Sequence, residues 1–225
     1  MKTRVFVVIP AKDEATRIGG VIRETMRQGY QNIIVVNDGS TDNTAEVARS
    51  YGAMVLTHII NLGAGAATQT GIEYALERGA EVIVTIDADQ QHFPSDIKRL
   101  VRTLRTTGVD VVIGSRFLNQ DNDIPKQRQL LNRIGNHVTH AFAGMRVTDS
   151  QSGLKAFRAA FARRAQLSFN GYEFCTEFIR LMREQRATFR EIPIQVMYDE
   201  HTLNKGQSVR NGFRMAVNFL RYHFS

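Results

Sequence analysis

Val82-Ile83-Val84-Thr85-Ile86-Asp87-Ala88-Asp89-Gln90-Gln91-His92 is the stretch on which the fold turns. Five β-branched residues in a row favour an extended chain, and with four of them fully apolar they read as a strand buried on both faces. Two carboxylates separated by one residue follow at once. In open sheets of parallel strands, ligands lie beyond the carboxyl ends of the strands. A buried strand ending in Asp-Ala-Asp therefore predicts both a parallel sheet and an acidic site on its rim.

Working outward, the same rhythm repeats on both sides. Strands are expected over 5–9, 32–36, 54–58 and 109–113, and helices over 16–28, 41–51, 65–78 and 95–106, with Ser40 or Thr41 as a cap for the second helix. This alternation means an α/β fold with a mostly parallel, Rossmann-like sheet flanked by helices. From about Asn119 the pattern changes. Residues 119–128 are polar, contain Pro125 and read as a loop. An amphipathic helix then runs over 128–145, with Leu130, Leu131, Ile134, Val138, Phe142 and Met145 on one side. A second occupies 208–224, with Val209, Phe213, Ala216, Val217, Leu220 and Phe224 on one face. These faces pack on the domain, meet a second subunit in a homodimer, or dock on a membrane surface. No internal repeat is evident. The chain reads as one domain, 1–225, in two halves, 1–118 with the alternating strands and helices and 119–225 with the amphipathic helices.

With 225 residues, 43% of them hydrophobic, the chain can bury a real core, which excludes disorder as its main state. No run reaches the ~18 to 20 apolar residues of a membrane-spanning helix, and the apolar stretch near Met1 is too short for a signal peptide, so a cytoplasmic protein is expected. The lone Cys175 reads as a buried thiol. Charge is uneven. Residues 1–97 carry 8 Lys or Arg against 12 Asp or Glu, whereas residues 98–225 carry 21 against 10. The basic half calls for an anionic partner. With no zinc-finger spacing and no RNA-recognition aromatics, nucleic acid is disfavoured beside phosphorylated substrates and an anionic membrane face.

The other strand ends are Pro10-Ala11-Lys12-Asp13-Glu14 and Asn37-Asp38-Gly39-Ser40. A pyrophosphate-linked donor offers a base, a ribose and two phosphates. Carboxylates and amides suit the first two, and a hard divalent cation suits the phosphates, with Asp87, Asp89 and Gln91 offering oxygen ligands only. A lone Asp-x-Asp is weak evidence, since such pairs also cap helices. Three acidic or hydrogen-bonding strand ends together are stronger. Asp38-Gly39-Ser40 also fits an Asx turn. In Asn61-Leu62-Gly63-Ala64-Gly65, the glycines either form a flexible turn or let backbone approach the donor. No third glycine completes a dinucleotide fingerprint, so a nicotinamide dehydrogenase is disfavoured.

Taken in order, these segments with Gly114-Ser115-Arg116 and Gln151-Ser152-Gly153 resemble family 2 glycosyltransferases, nearest to the dolichyl-phosphate or polyprenyl-phosphate mannose and glucose synthases. The resemblance implies a GT-A fold, an inverting reaction, and Mg²⁺ or Mn²⁺ as cofactor. It implies a donor pocket of Pro10, Ala11, Lys12, Glu14, Asp38, Gly65, Asp87, Ala88 and Asp89, with Asp87, Asp89 and Gln91 at the metal. Arg116, Arg128 and Asn132 would receive an acceptor phosphate, and Lys205 would face the donor diphosphate. The residues expected to act in catalysis are Asp89, Arg116, Arg128 and Lys205.

The chain departs from the family pattern in places. Asn37-Asp38 stands where two aspartates are usual, and Ala11-Lys12-Asp13 where Tyr-Asn follows the proline, so uridine and guanosine donors both stay open. The helix near Glu173 and Glu177 lacks the Glu-Asp pair that serves hydroxyl acceptors as a base. An acceptor phosphate is already anionic and needs arginines instead. The expected partners are therefore a UDP- or GDP-linked sugar and a lipid phosphate, met by a peripheral enzyme at the membrane surface. The alternatives are a hydroxyl acceptor with Glu173 or Glu177 as base, a nucleotidyltransferase, and a non-catalytic nucleic-acid-binding module. Arg116 also has a structural reading, as the partner of a nearby carboxylate.

Overall fold

A computed structural model of the chain describes residues 3–199. Seven strands form one sheet: β1 (Val5–Ala11), β2 (Asn32–Asp38), β3 (Met54–His58), β4 (Val82–Thr85), β5 (Val111–Ser115), β6 (Lys155–Arg158) and β7 (Phe189–Pro193). Their order is β3-β2-β1-β4-β6-β5-β7. All neighbours pair in parallel except β6, which runs antiparallel between β4 and β5. The helices are α1 (Ile18–Arg27), α2 (Thr44–Ser50), α3 (Ala64–Glu77), α4 (Ile97–Thr107), α5 (Lys126–Ala143), α6 (Ala159–Ala162) and α7 (Phe174–Glu184).

The period-2 geometry of a strand explains the two core layers. Val7 and Ile9 of β1 and Ile33 and Val35 of β2 face α1 and α4, where Ile18, Ile22, Leu100 and Leu104 close over them. Phe6, Val8, Ile34 and Val36 face the other way, onto Ile72 of α3 and Ile179 and Met182 of α7. Both faces being covered, the central strands are apolar throughout, as the β-branched runs predict.

Two expectations are corrected, and two strands went unread. The helix expected over 41–51 begins at Thr44, and its first N–H is met by Asp42 Oδ1 (3.0 Å); Ser40 instead accepts from the Asp13 N–H (2.9 Å). On α5 the buried residues are Gly135, Thr139 and Ala143, while Leu130 and Ile134 are 60% and 52% exposed. Small residues let α5 come close to α7, where Thr139 and Thr176 share a hydroxyl hydrogen bond of 2.8 Å, and this close packing leaves the larger apolar pair outside. Strands β6 and β7 escape the sequence reading because Lys155, Arg158, Arg190 and Glu191 break the apolar pattern. The helix expected over 208–224 lies outside the described residues, as does Lys205. No helix among the described residues is long and apolar enough to cross a membrane.

Candidate active site

The carboxyl ends of β1, β2 and β4 open on a cavity of about 490 Å³. Its walls include Pro10, Ala11, Lys12 and Glu14 after β1, Asp38 at the end of β2, and Asp87, Ala88, Asp89 and Gln91 after β4. Arg116, Arg128 and Asn132 line it as well. A single cleft thus brings together the carboxylates of Asp38, Asp87 and Asp89 with the basic and amide groups of Arg116, Arg128 and Asn132. Gly65 is placed differently. Its N–H donates to the Asn170 carbonyl (2.7 Å), and Phe169 and Phe174 pack so closely on its Cα that a side chain has no room. It lies outside the cavity lining, and the glycine serves packing between two chain segments.

The β1 and β2 loops are knitted together by Asp13. Its Oδ1 accepts from the Thr41 N–H (2.7 Å) and its Oδ2 pairs with Lys12 Nζ (3.0 Å), which together hold its carboxyl down at about 2. Asp38 is committed in the same manner. It accepts from the N–H groups of Leu62 and Gly63 (2.8 Å each), and His58 Nδ1 lies 2.8 Å from it, with His58 Nε2 3.0 Å from Thr70 Oγ1 of α3. Asp38 therefore shapes the 61–63 loop, and that loop presents Asn61 to the cavity.

Asp87 and Asp89 sit differently from each other. Burial disfavours charge on Asp87, but His92, 3.4 Å away, with the positive charges of Lys155 and Arg116, outweighs it and holds the carboxyl below the ordinary aspartate range. Burial raises Asp89, and the neighbouring Asp87 charge raises it further. Two carboxylates that repel each other in one cleft form the donor set that a hard divalent cation relieves. Among the described residues no group of three or more His, Cys, Asp or Glu converges as a complete metal cage. The set suits a cation that takes two carboxylates from the protein and its remaining oxygens from substrate phosphates and water. Gly153 lies against Asp87 so closely that a Cβ there would collide with the carboxylate.

Arg116 is 6% exposed. Its Nε and Nη2 each donate to the buried Asp149 at 2.7 Å, and its backbone N–H adds a third bond at 3.0 Å. Burial alone would lower the guanidinium, but Asp149 more than reverses this, so Arg116 is a fixed cation at the cavity wall. Nη2 also reaches Asn132 Oδ1 at 3.4 Å. Arg116 thus pairs with a buried carboxylate, as its structural reading has it, and also lines the cleft.

Glu177 is fully buried and accepts from the Ser168 and Phe169 N–H groups (2.9 and 3.0 Å) and from the Ser168 hydroxyl. It is not among the cavity residues, whereas Glu173 is. Cys175 lies buried in the wall, and burial pushes its thiol up to about 11. Sequence reasoning missed Asp149, Lys155 and the part taken by His92, along with Tyr172 and Tyr198 in the wall. The buried lysine donates to the Ser152 carbonyl. Its one signal was a lysine amid the apolar residues of Leu154-Lys155-Ala156-Phe157, which stands out only once that run is recognised as a strand.

Comparison with known proteins places this geometry. The family model described as "Glycosyl transferase family 2" matches residues 6–185. A protein of Methanocaldococcus jannaschii is 40% identical, covering 97% of this chain and 92% of its own. The UDP-N-acetylglucosamine–dolichyl-phosphate N-acetylglucosaminyltransferase of Methanococcus voltae is 32% identical over 96% of this chain and 94% of its own. Among solved structures, glucosyl-3-phosphoglycerate synthase from Mycobacterium tuberculosis, in complex with Mn²⁺ and UDP-glucose, has a TM-score of 0.73 at 20% identity, covering 97% of this chain and 77% of the other. With the matched family model spanning the strands that carry the cleft, the chain belongs to glycosyl transferase family 2 and has the GT-A fold.

Proposed function

We propose that this glycosyltransferase moves a hexose from a nucleoside-diphosphate sugar to a dolichyl or polyprenyl phosphate, with inversion and with Mg²⁺ or Mn²⁺. The observation that carries the reading is the single cleft lined both by Asp87 and Asp89 and by Arg116, Arg128 and Asn132. The relatives support the acceptor: the Methanococcus voltae enzyme is named for dolichyl phosphate, and a 29% identical Micrococcus luteus relative for undecaprenyl phosphate. The Mn²⁺ in the Mycobacterium tuberculosis complex supports a divalent cofactor.

In this reading Pro10, Ala11, Lys12 and Glu14 border the base and ribose, on a floor shaped by Asp38. Asp87, Asp89 and Gln91 hold the cation, which when bound offsets the charge of the departing diphosphate. Arg116, locked by Asp149, and Arg128 with Asn132 hold the acceptor phosphate in line with the anomeric carbon. One phosphate oxygen forms the new bond to that carbon as the bond to the diphosphate breaks, and the nucleoside diphosphate leaves with the electron pair. No proton has to be removed, which fits an acceptor wall built from cations. Lys205 is assigned to the diphosphate from the family resemblance and lies outside the described residues. Leu130 and Ile134, exposed on the helix that bears Arg128, support peripheral contact with a membrane.

The decisive assay incubates the full chain with labelled UDP- or GDP-sugars, Mn²⁺ and polyprenyl phosphate, and follows label into the organic phase. UDP-N-acetylglucosamine is the first donor to try, given the Methanococcus voltae relative. Release of pyrophosphate, or transfer only to a hydroxyl acceptor, would overturn the reading. One observation favours the hydroxyl alternative: Glu173 lines the cavity and could serve as a base. Glu173→Gln separates the two, leaving lipid-phosphate transfer within about tenfold and removing hydroxyl transfer by about 10² or more.

A further inference from the structure

Arg17 stands at the N-terminus of α1, outside the cavity lining, yet it grips the turn that bears Asp89. Its Nη1 donates to the Asp89 carbonyl (3.1 Å), and its own carbonyl accepts from Gln90 Nε2 (3.0 Å). The turn needs such support because Gln90 has a φ of 63°, a left-handed conformation that non-glycine residues adopt at a cost. The other guanidinium nitrogen, Nη2, donates to Asp199 Oδ2 at 2.7 Å. One planar fork therefore bridges two segments 110 residues apart in the chain.

The segment that Arg17 reaches is bound to the same turn along its length. The Met197 N–H donates to the Gln91 carbonyl (3.0 Å), Val196 forms an antiparallel bridge with His92, and the Gln195 N–H meets Asp96 Oδ2 (2.9 Å). Its far side is tied to the acceptor loop: Asn122 Nδ2 donates to both Ile194 O (2.9 Å) and Arg116 O (2.8 Å). Residues 194–199 thus form a strap between the two walls of the cleft, and Tyr198 on the strap lines the cavity.

We propose that Arg17 is a positioning residue that locks this strap onto the Asp89 turn, so that affinity for the cation and nucleotide depends on the Arg17–Asp199 pair. The inference rests on the metal reading proposed above. Arginine suits the task because its fork serves two acceptors on different segments, whereas a lysine ammonium acts as a point charge on a flexible stem.

The test measures Mn²⁺-dependent UDP and GDP binding by calorimetry, on the full chain and on Arg17→Met, Arg17→Lys and Asp199→Asn, alongside the melting temperature of each unliganded protein. Groups that orient metal ligands from behind typically alter affinity by about 10- to 100-fold when removed. We expect a loss in that range for Arg17→Met, a smaller one for Arg17→Lys, and a double variant with Asp199→Asn no weaker than Arg17→Met alone. Melting temperatures stay within a few degrees of wild type. Affinity within twofold of wild type in Arg17→Met, or losses that multiply in the double variant, would overturn the inference while leaving the metal reading intact. Wild-type binding that ignores Mn²⁺ would instead overturn the metal reading, and the inference with it.

Discussion

The two walls of the cleft are built by opposite means. On the first wall a cation, Arg116, is matched by the buried carboxylate of Asp149 through three hydrogen bonds. On the donor wall Asp87 and Asp89 lie near each other, and the charge of one makes ionising the other harder. The first wall is satisfied within the protein. The second is satisfied in part: His92, Lys155 and Arg116 favour the charged form of Asp87, while burial and the Asp87 charge hold the Asp89 carboxyl above its ordinary range. The contrast teaches that stability and function can be separated by asking which charges the fold neutralises itself.

The largest expected effect tests the satisfied wall. Asp149→Ala strands a buried guanidinium, which should cost about 3–5 kcal/mol of unfolding free energy. A loss below about 1 kcal/mol in urea unfolding would break the comparison. Replacing Arg116 and Asp149 together by apolar residues of similar volume should restore most of the stability but not the transfer activity.

Next comes the unsatisfied wall. Asp89→Ala should lower turnover by about 10²–10³, the scale of removing a group that answers transition-state charge. Its unfolding free energy should stay near the wild-type value, because a repulsion is lost along with the side chain. A variant that is destabilised as strongly as Asp149→Ala would show that both walls serve the fold.

A smaller effect is expected at His58, which sits behind Asp38 and the 61–63 loop. His58→Ala removes one hydrogen bond to a buried carboxylate, worth about 1.5–3 kcal/mol at most. Nucleotide affinity should fall by about tenfold with turnover at saturation unchanged, a split that steady-state kinetics reads directly.

The smallest effect concerns Asp13, at the exposed edge of the donor wall. Because its folded pKa is depressed to about 2, its contribution is present above the ordinary aspartate range and is lost as pH falls through about 2. The difference in melting temperature between wild type and Asp13→Ala should therefore be slight and constant from pH 7 down to about 4.5. A difference that disappears by pH 5 would contradict the depressed value.

How far the sequence could be read follows the same division. The parallel strands and their acidic ends were legible because β-branched runs and the residues just after them are local signals. Asp38, Asp87 and Asp89 were expected on one rim and lie in one cavity. What the carboxylates do was less legible. Asp38 was expected in the donor pocket, and its oxygens already receive Leu62, Gly63 and His58. Asp149 and Lys155 were missed because their meaning lies in partners far along the chain. Arg17 had no signal at all, since a guanidinium between two segments leaves no periodic mark. The exposed Leu130 and Ile134 show the limit of amphipathic counting: it finds a face but does not say whether that face is covered.

One feature of the sheet bears on how the molecule comes to be assembled. Since β6 runs against its neighbours, its beginning meets the rim where the ends of β4 and β5 lie, and Gly153 reaches Asp87 there. Contacts between segments so distant in the chain carry a large loop-closure entropy and slow folding. The segment that carries Asp87 and Asp89 is thus synthesised early but receives its backing only after a later strand has slotted into the middle of a sheet. Nascent chains ending before residue 155 should hold the β1, β2 and β3 framework yet lack the enclosure that would let them sequester a nucleotide.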